Sequence, residues 1–390
     1  MNLQELILQL AENALGRPEK YLRPGHNGPY RDPETPVRNL GHWLITFAKC
    51  YEWTGERRFR DKVLELAEYL CSEEVRPYGY SFHHRSKPDK DRSNGLIGQA
   101  WTFEALTEAS AVLRNEGYGA LAEEVFFQHP FDYRLGLWRC LEIDGKVLAL
   151  DATFNHQLWF AACSSLIQSK RSDEIRQMIE RFFECIGKNM TVMKNGLIYH
   201  PITHLLESRL KRKKGDAGRK QRRFRCLLPF MGSEKRLEEI ESHDEGKTEM
   251  QRRLVLKSIG YHCFNMYGFA ILYGTFPSHS FWRSGTLISM VDYMQTDEYR
   301  EGLKGNPFGY PYNPSGFEVP FSLNSLKTIP QSEVLKTCSW WVNEQLKHCF
   351  DRYDQMMSEH TEDALTLTAR IYEATRLPRS LLEGVRLVSH

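Results

Sequence analysis

Twelve amphipathic segments with a helical period recur along the chain and alternate in character, and that alternation constrains the fold more than any single motif does. They lie near 2–15, 37–54, 58–73, 96–115, 118–128, 153–169, 171–188, 257–274, 279–294, 321–328, 333–353 and 361–376. One set is rich in aromatic and small residues (GHWLITFAKCYEW, IGQAWTFEAL, HQLWFAACSSL, YHCFNMYGFAILYG); its partners, such as RRFRDKVLELAEYL and SDEIRQMIERFFECI, carry charge on one face. A helix apolar nearly all round belongs inside, and one with a charged face belongs outside. Six inner and six outer helices in alternation predict an all-α chain, an (α/α)6 toroid of six helical hairpins forming a single domain over 1–390. Stacking the same pairs into an open solenoid is the alternative. In the toroid every inner helix starts at the same end, where its unpaired N–H groups and positive dipole end suit anionic or hydroxyl-rich ligands.

The bulk composition is that of a soluble globular protein: 390 residues, 52 Lys+Arg against 50 Asp+Glu, and 41% hydrophobic. It excludes disordered, collagenous and nucleic-acid-coating classes. The charge is uneven, because residues 209–225 (RLKRKKGDAGRKQRRFR) hold ten Lys/Arg and one Asp, so that without them the formal +2 becomes about −7. We expect a basic insertion at about 207–255, either solvated and mobile or a clamp for a polyanion or an anionic membrane surface. Nucleic acid is not expected, since no recognition module accompanies the run. Nine widely spaced cysteines without a C-x-x-C pair fit neither a disulfide framework nor a zinc site, and point to the cytoplasm. The N-terminal MNLQELILQLAENAL reads as a folded helix and not as a leader, and no apolar run is long enough to span a bilayer. Phosphate-loop, dinucleotide and nucleophile-elbow motifs do not occur, and neither a cofactor nor a metal is predicted.

Two stretches open from loops into inner helices. Residues 94–106 (NGLIGQAWTFEAL) carry Gln99 and Trp101, and residues 151–160 (DATFNHQLWF) carry Asp151, Asn155, His156 and Trp159. The first resembles the G-Q-A-aromatic segment of the N-acylglucosamine 2-epimerase family and, more loosely, the six-hairpin glycosidases. The second is similar to the D-x-x-F segment of the unsaturated uronyl hydrolases. In architecture the likeness spans nearly the whole chain. It implies the toroid of these sugar-processing enzymes, of a kind found in bacterial surface-polysaccharide biosynthesis, with Asp151 at the position of the hydrolases' general acid/base.

In chemical terms, Asp151 stands among Phe154, His156 and Trp159, where desolvation would raise a carboxyl and suit it to donate a proton near neutrality. It is equally readable as a helix cap. A glycosidase with two carboxylates needs a second, for which Asp91 and Glu318 are the candidates by position; the uronyl hydrolases manage with one Asp. His262 is expected to open the fourth inner helix and His360 to precede the sixth. In the epimerase family, histidines there act as opposing acid and base. Asn265 departs from that pattern, standing where the family has a Glu that tunes the first imidazole. Trp101, Trp159, Gln99, Asn155 and Arg38 would suit a saccharide, indole faces stacking on the ring and polar groups binding hydroxyls. Trp282, Arg283 and the loop 305–320 would form the rim.

These readings converge on a carbohydrate-active enzyme acting on a sugar of a polysaccharide or oligosaccharide, the saccharide acidic in one version. The first choice is glycosidic-bond hydrolysis with Asp151 as acid/base and His156, Asp91, Gln99 and Trp101 positioning. The second is epimerisation or isomerisation through His262 and His360. A non-catalytic polysaccharide-binding or biosynthesis factor is the third.

Overall fold

The computed structural model describes residues 1–205 and 249–388. The outer helix α1 (Leu3–Gly16) is followed by inner–outer pairs: α2 (Val37–Thr54) with α3 (Arg57–Leu70), α4 (Gly95–Leu113) with α5 (Glu116–Gln128), and α6 (Phe154–Ser164) with α7 (Ser172–Glu184). Next come α8 (Glu249–Thr275) with α9 (Gly285–Met294) and α10 (Asp297–Leu303), then α11 (Ser315–Leu326) with α12 (Gln331–Cys349). The sixth inner element is α13 (Ala364–Ala369), which tightens into the 3-10 turn Arg370–Arg376 before α14 (Arg379–Gly384). Each inner element packs on the next, and the 3-10 turn packs back on α2, so the ring closes into an (α/α)6 toroid and the solenoid alternative falls. The two ends of the described chain also meet: the Leu3 N–H donates to the Val385 carbonyl (3.1 Å) and the Leu387 N–H to that of Met1 (3.0 Å).

Composition sets the layers as the alternation predicts. Helix α4 is buried along most of its length, whereas α7 buries only Ile175, Met178, Ile179, Phe182 and Phe183. Trp159 of α6 stacks on Phe264 and Tyr267 of α8, with centroids 4.2 and 5.5 Å away, and its indole N–H donates to the Phe264 carbonyl (2.9 Å). It is therefore core and not a sugar platform. Gly98 lets α4 approach its own entry loop, since a Cβ there would lie 2.4 Å from the Ser93 carbonyl oxygen and 2.8 Å from the His84 ring.

Two helix starts differ from the sequence reading, and a small sheet is added to it. Helix α8 begins at Glu249, well before 257, so His262 lies in its interior and not at its start. The part of the expected insertion from 249 to 255 is thus the opening of a helix, while 209–225 lies outside the described residues. Helix α11 starts at Ser315 and carries Pro320 inside it, and it packs closely on α12 at Gly316, where a Cβ would meet the Trp341 carbonyl oxygen at 2.4 Å. A small antiparallel sheet, β1 (Phe131–Asp132), β2 (Leu137–Leu141) and β3 (Val147–Leu150), enters between α5 and α6, and β3 delivers the chain to Asp151. Among the described residues no helix is long and apolar enough to cross a membrane.

The ring is clasped in its interior by charge. Glu104 of α4 is fully buried and accepts two hydrogen bonds from Arg376 (3.1 and 2.6 Å) and one from the Tyr372 hydroxyl (3.1 Å). Arg376→Met would leave Glu104 buried without its counter-charge, and we expect a loss of about 3–5 kcal/mol. Urea unfolding should show a lowered midpoint with an unchanged slope, and Glu104→Gln in the same chain should restore part of the loss.

Candidate functional site

The starts of the inner helices and the loops before them surround a cleft of about 150 Å³. Helix α2 contributes Arg38, α4 contributes Trp101, α6 contributes Asn155 and His156, and α8 contributes Lys257, Tyr261 and Phe264. Tyr312 and Asn313 come from the loop before α11, Arg370 from the sixth inner element, and His200 from the segment after α7. Tyr30, Asp32, Arg85 and Lys90 enter from the loops before α2 and α4.

The local folding that places His156 begins at Asp151. Asp151 accepts the Thr153 N–H (3.0 Å) on one oxygen and the His156 Nδ1 (2.7 Å) on the other. The carboxylate therefore orients the imidazole and leaves its Nε2 to the cleft. Burial works to raise the Asp151 carboxyl, but the His156 charge and hydrogen bond, with that of Thr153, outweigh it and hold it at about 2. The expectation of a raised, proton-donating Asp151 is corrected on that ground. Asp151 stays anionic behind His156, and the helix cap position belongs to Thr153.

The residues expected beside it separate into lining and bracing groups. Arg38, Trp101, Asn155 and His156 line the cleft. Trp101 is almost wholly buried, and the Arg38 guanidinium lies 3.9 Å from its ring centroid over one face. Asp91 braces instead: one oxygen accepts the Gly95 N–H (2.7 Å) and the Ser93 hydroxyl (3.0 Å), the other accepts from Arg85 (2.5 Å). Those bonds hold Asn94 and Gly95, both at positive φ, as the turn into α4. Gln99 is fully buried and bonded to the Phe82 and Ser93 carbonyls (3.1 and 2.8 Å) and the Phe82 N–H (2.8 Å), so it pins that loop. Trp282 and Arg283 follow the far end of α8, where Trp282 packs on Phe183 and Tyr273 rather than on the rim.

The two histidines expected to oppose each other do not meet in the cleft. His262 is fully buried, with Nε2 bonded to the Met290 carbonyl (2.9 Å) and Nδ1 accepting the Ile198 N–H (3.3 Å); burial holds it down at about 4, neutral. Its role in the fold is to tie the segment before His200 to α8. His360 is exposed in the loop before α13, at φ 54°. Asn265 is buried on α8 and donates to the Tyr261 carbonyl (3.0 Å). Glu318 lies in the first turn of α11 and accepts from Arg370 (2.5 Å) beneath the cleft, while Arg370 also bonds Glu373 (2.9 Å), Asn313 (2.9 Å) and the Tyr312 carbonyl (2.7 Å). Burial raises both Glu318 and Glu373, so the single guanidinium faces two acids that cannot both be readily charged.

Several lining residues carry no signal in the motifs. Tyr30 and Tyr261 share a hydroxyl–hydroxyl bond (2.8 Å), and Tyr312 donates to Asn27 (2.8 Å). Burial, then the Lys257 and His156 charges, hold His200 at about 3, and its ring lies 4.7 Å from that of Tyr261. Asp32, the carboxylate among the lining residues, is engaged by Lys87 (2.6 Å) and Lys90 (2.7 Å). Polar atoms left unpartnered in this wall are Arg38 Nη2, Asn155 Oδ1 and His200 Nδ1. Among the described residues no three His, Cys, Asp or Glu side chains are grouped so as to hold a metal ion.

Comparison with known proteins agrees with the architecture. Archaeal glycosylation protein Q of Haloferax volcanii is 41% identical over 384 residues, covering 96% of this chain and 97% of that protein. The crystal structure of a D-mannose isomerase superposes with a TM-score of 0.60 at 11% identity, covering 98% of this chain and 95% of that one. An inactive variant of an α-1,6-mannanase from a Salegentibacter species, in complex with α-1,6-mannotriose, does so with a TM-score of 0.53 at 12% identity, covering 97% and 98%. No family model matches the chain. At such identities the two structures show the fold alone, the six-hairpin toroid.

The depressed Asp151 pKa yields a pH prediction. A carboxyl lower in the folded state than in the unfolded one contributes stability above its unfolded value, lost as pH falls through the folded one. About 2 kcal/mol should disappear between pH about 4 and about 2. Urea unfolding across that range should show the loss in the wild type, and Asp151→Asn should flatten it.

Proposed function

This chain belongs to the family of archaeal glycosylation protein Q, and from that premise we propose that it is an enzyme that moves a proton at a carbon of a sugar, as isomerases and epimerases do. The observation that carries this reading is the pairing of His156 with Asp151 at the cleft, with no second free carboxylate beside it among the described residues. Two-carboxylate hydrolysis would need one on each side of the bond, and Asp32 is already engaged by lysines; hydrolysis through a single Asp would need that residue protonated, and Asp151 is held at about 2 by His156 and Thr153. The first choice drawn from the sequence, hydrolysis with Asp151 as acid, therefore yields to the second choice of reaction. The second choice in turn keeps its chemistry and changes its residues from His262 and His360 to His156.

In this scheme His156 Nε2 takes the proton from a sugar carbon next to a carbonyl, and Asp151 stabilises the resulting imidazolium. Negative charge grows on the carbonyl oxygen, where a hydroxyl donor is needed. Tyr261 is suited to donate there, since burial pushes its hydroxyl well up, so it keeps its proton, and it lines the same cleft. The proton then returns from His156 to the neighbouring carbon, the former carbonyl carbon, while the proton of the adjacent hydroxyl passes to the former carbonyl oxygen, so that the carbonyl moves by one carbon and the sugar is isomerised. Arg38, Asn155 and Asn313 are placed to hold hydroxyls. Of the cationic lining residues, Arg38, Arg85, Lys90 and Arg370 each have a carboxylate partner, and Lys257, on which no carboxylate acts among the described residues, favours an acidic sugar. We place this work in glycan assembly, as the name of the relative suggests, and in the cytoplasm, in keeping with eight free cysteines among the described residues. Contact of 209–225 with a polyanion or a membrane surface is proposed on its charge.

Incubating the protein in deuterated water with a panel of neutral and acidic sugars tests the reaction. Label should enter a sugar carbon, and His156→Asn should slow its entry about 100-fold or more while the melting transition persists. New reducing ends without label would replace the proposal with hydrolysis. Sugar binding with neither product would leave a binding factor.

A further inference from the structure

Two ammonium groups flank the ring of Tyr30 at one side of the cleft, and a third cation acts on it. Lys257 Nζ lies 4.6 Å from its centroid and Lys90 Nζ lies 6.0 Å from it. The charge of the exposed Arg253, one turn before Lys257 on α8, acts on both Tyr30 and Lys257. Lys90 has Asp32 as its counter-charge, but among the described residues no carboxylate acts on Lys257. Its ammonium rests against Tyr30 and Phe308, 5.4 Å from the latter's centroid, in a largely buried position. Burial first, then Arg253 and Lys90, hold it down at about 8. Gathering like charges in a half-dry wall costs stability in the chain alone, and the same gathering favours binding of an oxyanion. The wall is otherwise polar and under-satisfied, since the buried His200 Nδ1, whose ring feels the Lys257 charge, lacks a hydrogen-bond partner among the described residues.

We propose that Lys257, with Arg253 and Lys90 beside it, seats an anionic group of the sugar, the carboxylate of a uronate or a phosphate ester, and that this seat selects acidic sugars over neutral ones. The inference rests on the saccharide reading above and deepens it by naming the group recognised and the residue that recognises it. Lys257, Tyr261 and Phe264 stand four and three residues apart on α8 and line the same cleft, so an anion held at Lys257 lies beside the hydroxyl that the reaction scheme uses.

Calorimetric titration of the full chain with glucuronate, glucose 1-phosphate, inorganic phosphate and glucose tests the seat, using wild type, Lys257→Gln, Lys257→Arg and Arg253→Gln. At least one acidic sugar should bind more tightly than glucose, and Lys257→Gln should weaken it at least tenfold while Lys257→Arg keeps most of the affinity. Arg253→Gln should weaken it less, and glucose should be indifferent to all three changes. The stronger of glucuronate and glucose 1-phosphate identifies the group as carboxylate or phosphate. The melting transition of Lys257→Gln should match or exceed that of the wild type, since no carboxylate partner is lost among the described residues and the repulsion from Arg253 and Lys90 is relieved. Glucose bound as tightly as both acidic sugars, or acidic-sugar affinity within twofold of wild type in Lys257→Gln, would overturn the seat while leaving a sugar enzyme in place. Inorganic phosphate binding that Lys257→Gln abolishes, with no sugar bound, would keep the seat and remove the saccharide reading.

Discussion

Glu104 and Arg376 meet in the interior, from the second inner helix and the last inner element, and join the end of the ring to its beginning. A toroid of aromatic helices has no obvious reason to close rather than spiral, since each pair is satisfied by its neighbours. The clasp supplies one, with a buried carboxylate that finds its counter-charge only when the last element returns to the first ones. Two further buried arginines repeat the device around the ring. Arg38 bonds Glu34 (3.1 Å) and Asn27 (3.2 Å), and Arg370 bonds Glu318 and Glu373. Each ties a loop or helix start to the inner wall, so the charges that close the ring also shape the site. Losing one partner of such a pair is costly, which makes the arrangement specific rather than simply stable.

The architecture is legible in the sequence because burial of a whole helix leaves a compositional trace. Aromatic and small residues on all sides of 37–54 and 96–106, against one-sided charge in 58–70 and 172–184, sort inner from outer without any structure. The gathering of helix starts at one end is legible for the same reason, and Arg38, Asn155 and His156 follow from it. What the pattern does not decide is which way a residue at a helix start turns. Gln99 and Trp101 are two positions apart on α4, yet Gln99 pins the loop before the helix and Trp101 faces the cleft. Asp151 and His156 both stand out in the sequence, but with their roles exchanged, because desolvation of the carboxyl is weighed there without the imidazole that stands 2.7 Å away.

The missed residues are hidden for other reasons. Tyr30, Asp32, Arg85, Lys90 and His200 lie on loops, where no periodicity marks a face. Lys257 does leave a signal: a lone lysine at the spacing of Tyr261 and Phe264, in a segment otherwise turning apolar and aromatic. His262 misleads because its ring turns away from the cleft: Tyr261 beside it lines the site, while the imidazole bonds the Met290 carbonyl and the Ile198 N–H. With His262 bonded to Met290 and His360 in an exposed loop, neither of the two histidines singled out in the sequence stands at the cleft. The Asp151–His156 pair and the cationic wall around Tyr30 are what this sequence puts there.

Where a sugar binds is the most direct test of a proton-moving His156 beside a cationic wall. A crystal structure of the chain with a bound acidic sugar should show a sugar carbon within hydrogen-bonding reach of His156 Nε2, the Asp151 bond to Nδ1 intact, and the anionic group at Lys257. A sugar seated away from the inner-helix starts, or in the cleft with His156 swung off Asp151 and out of contact, would contradict it.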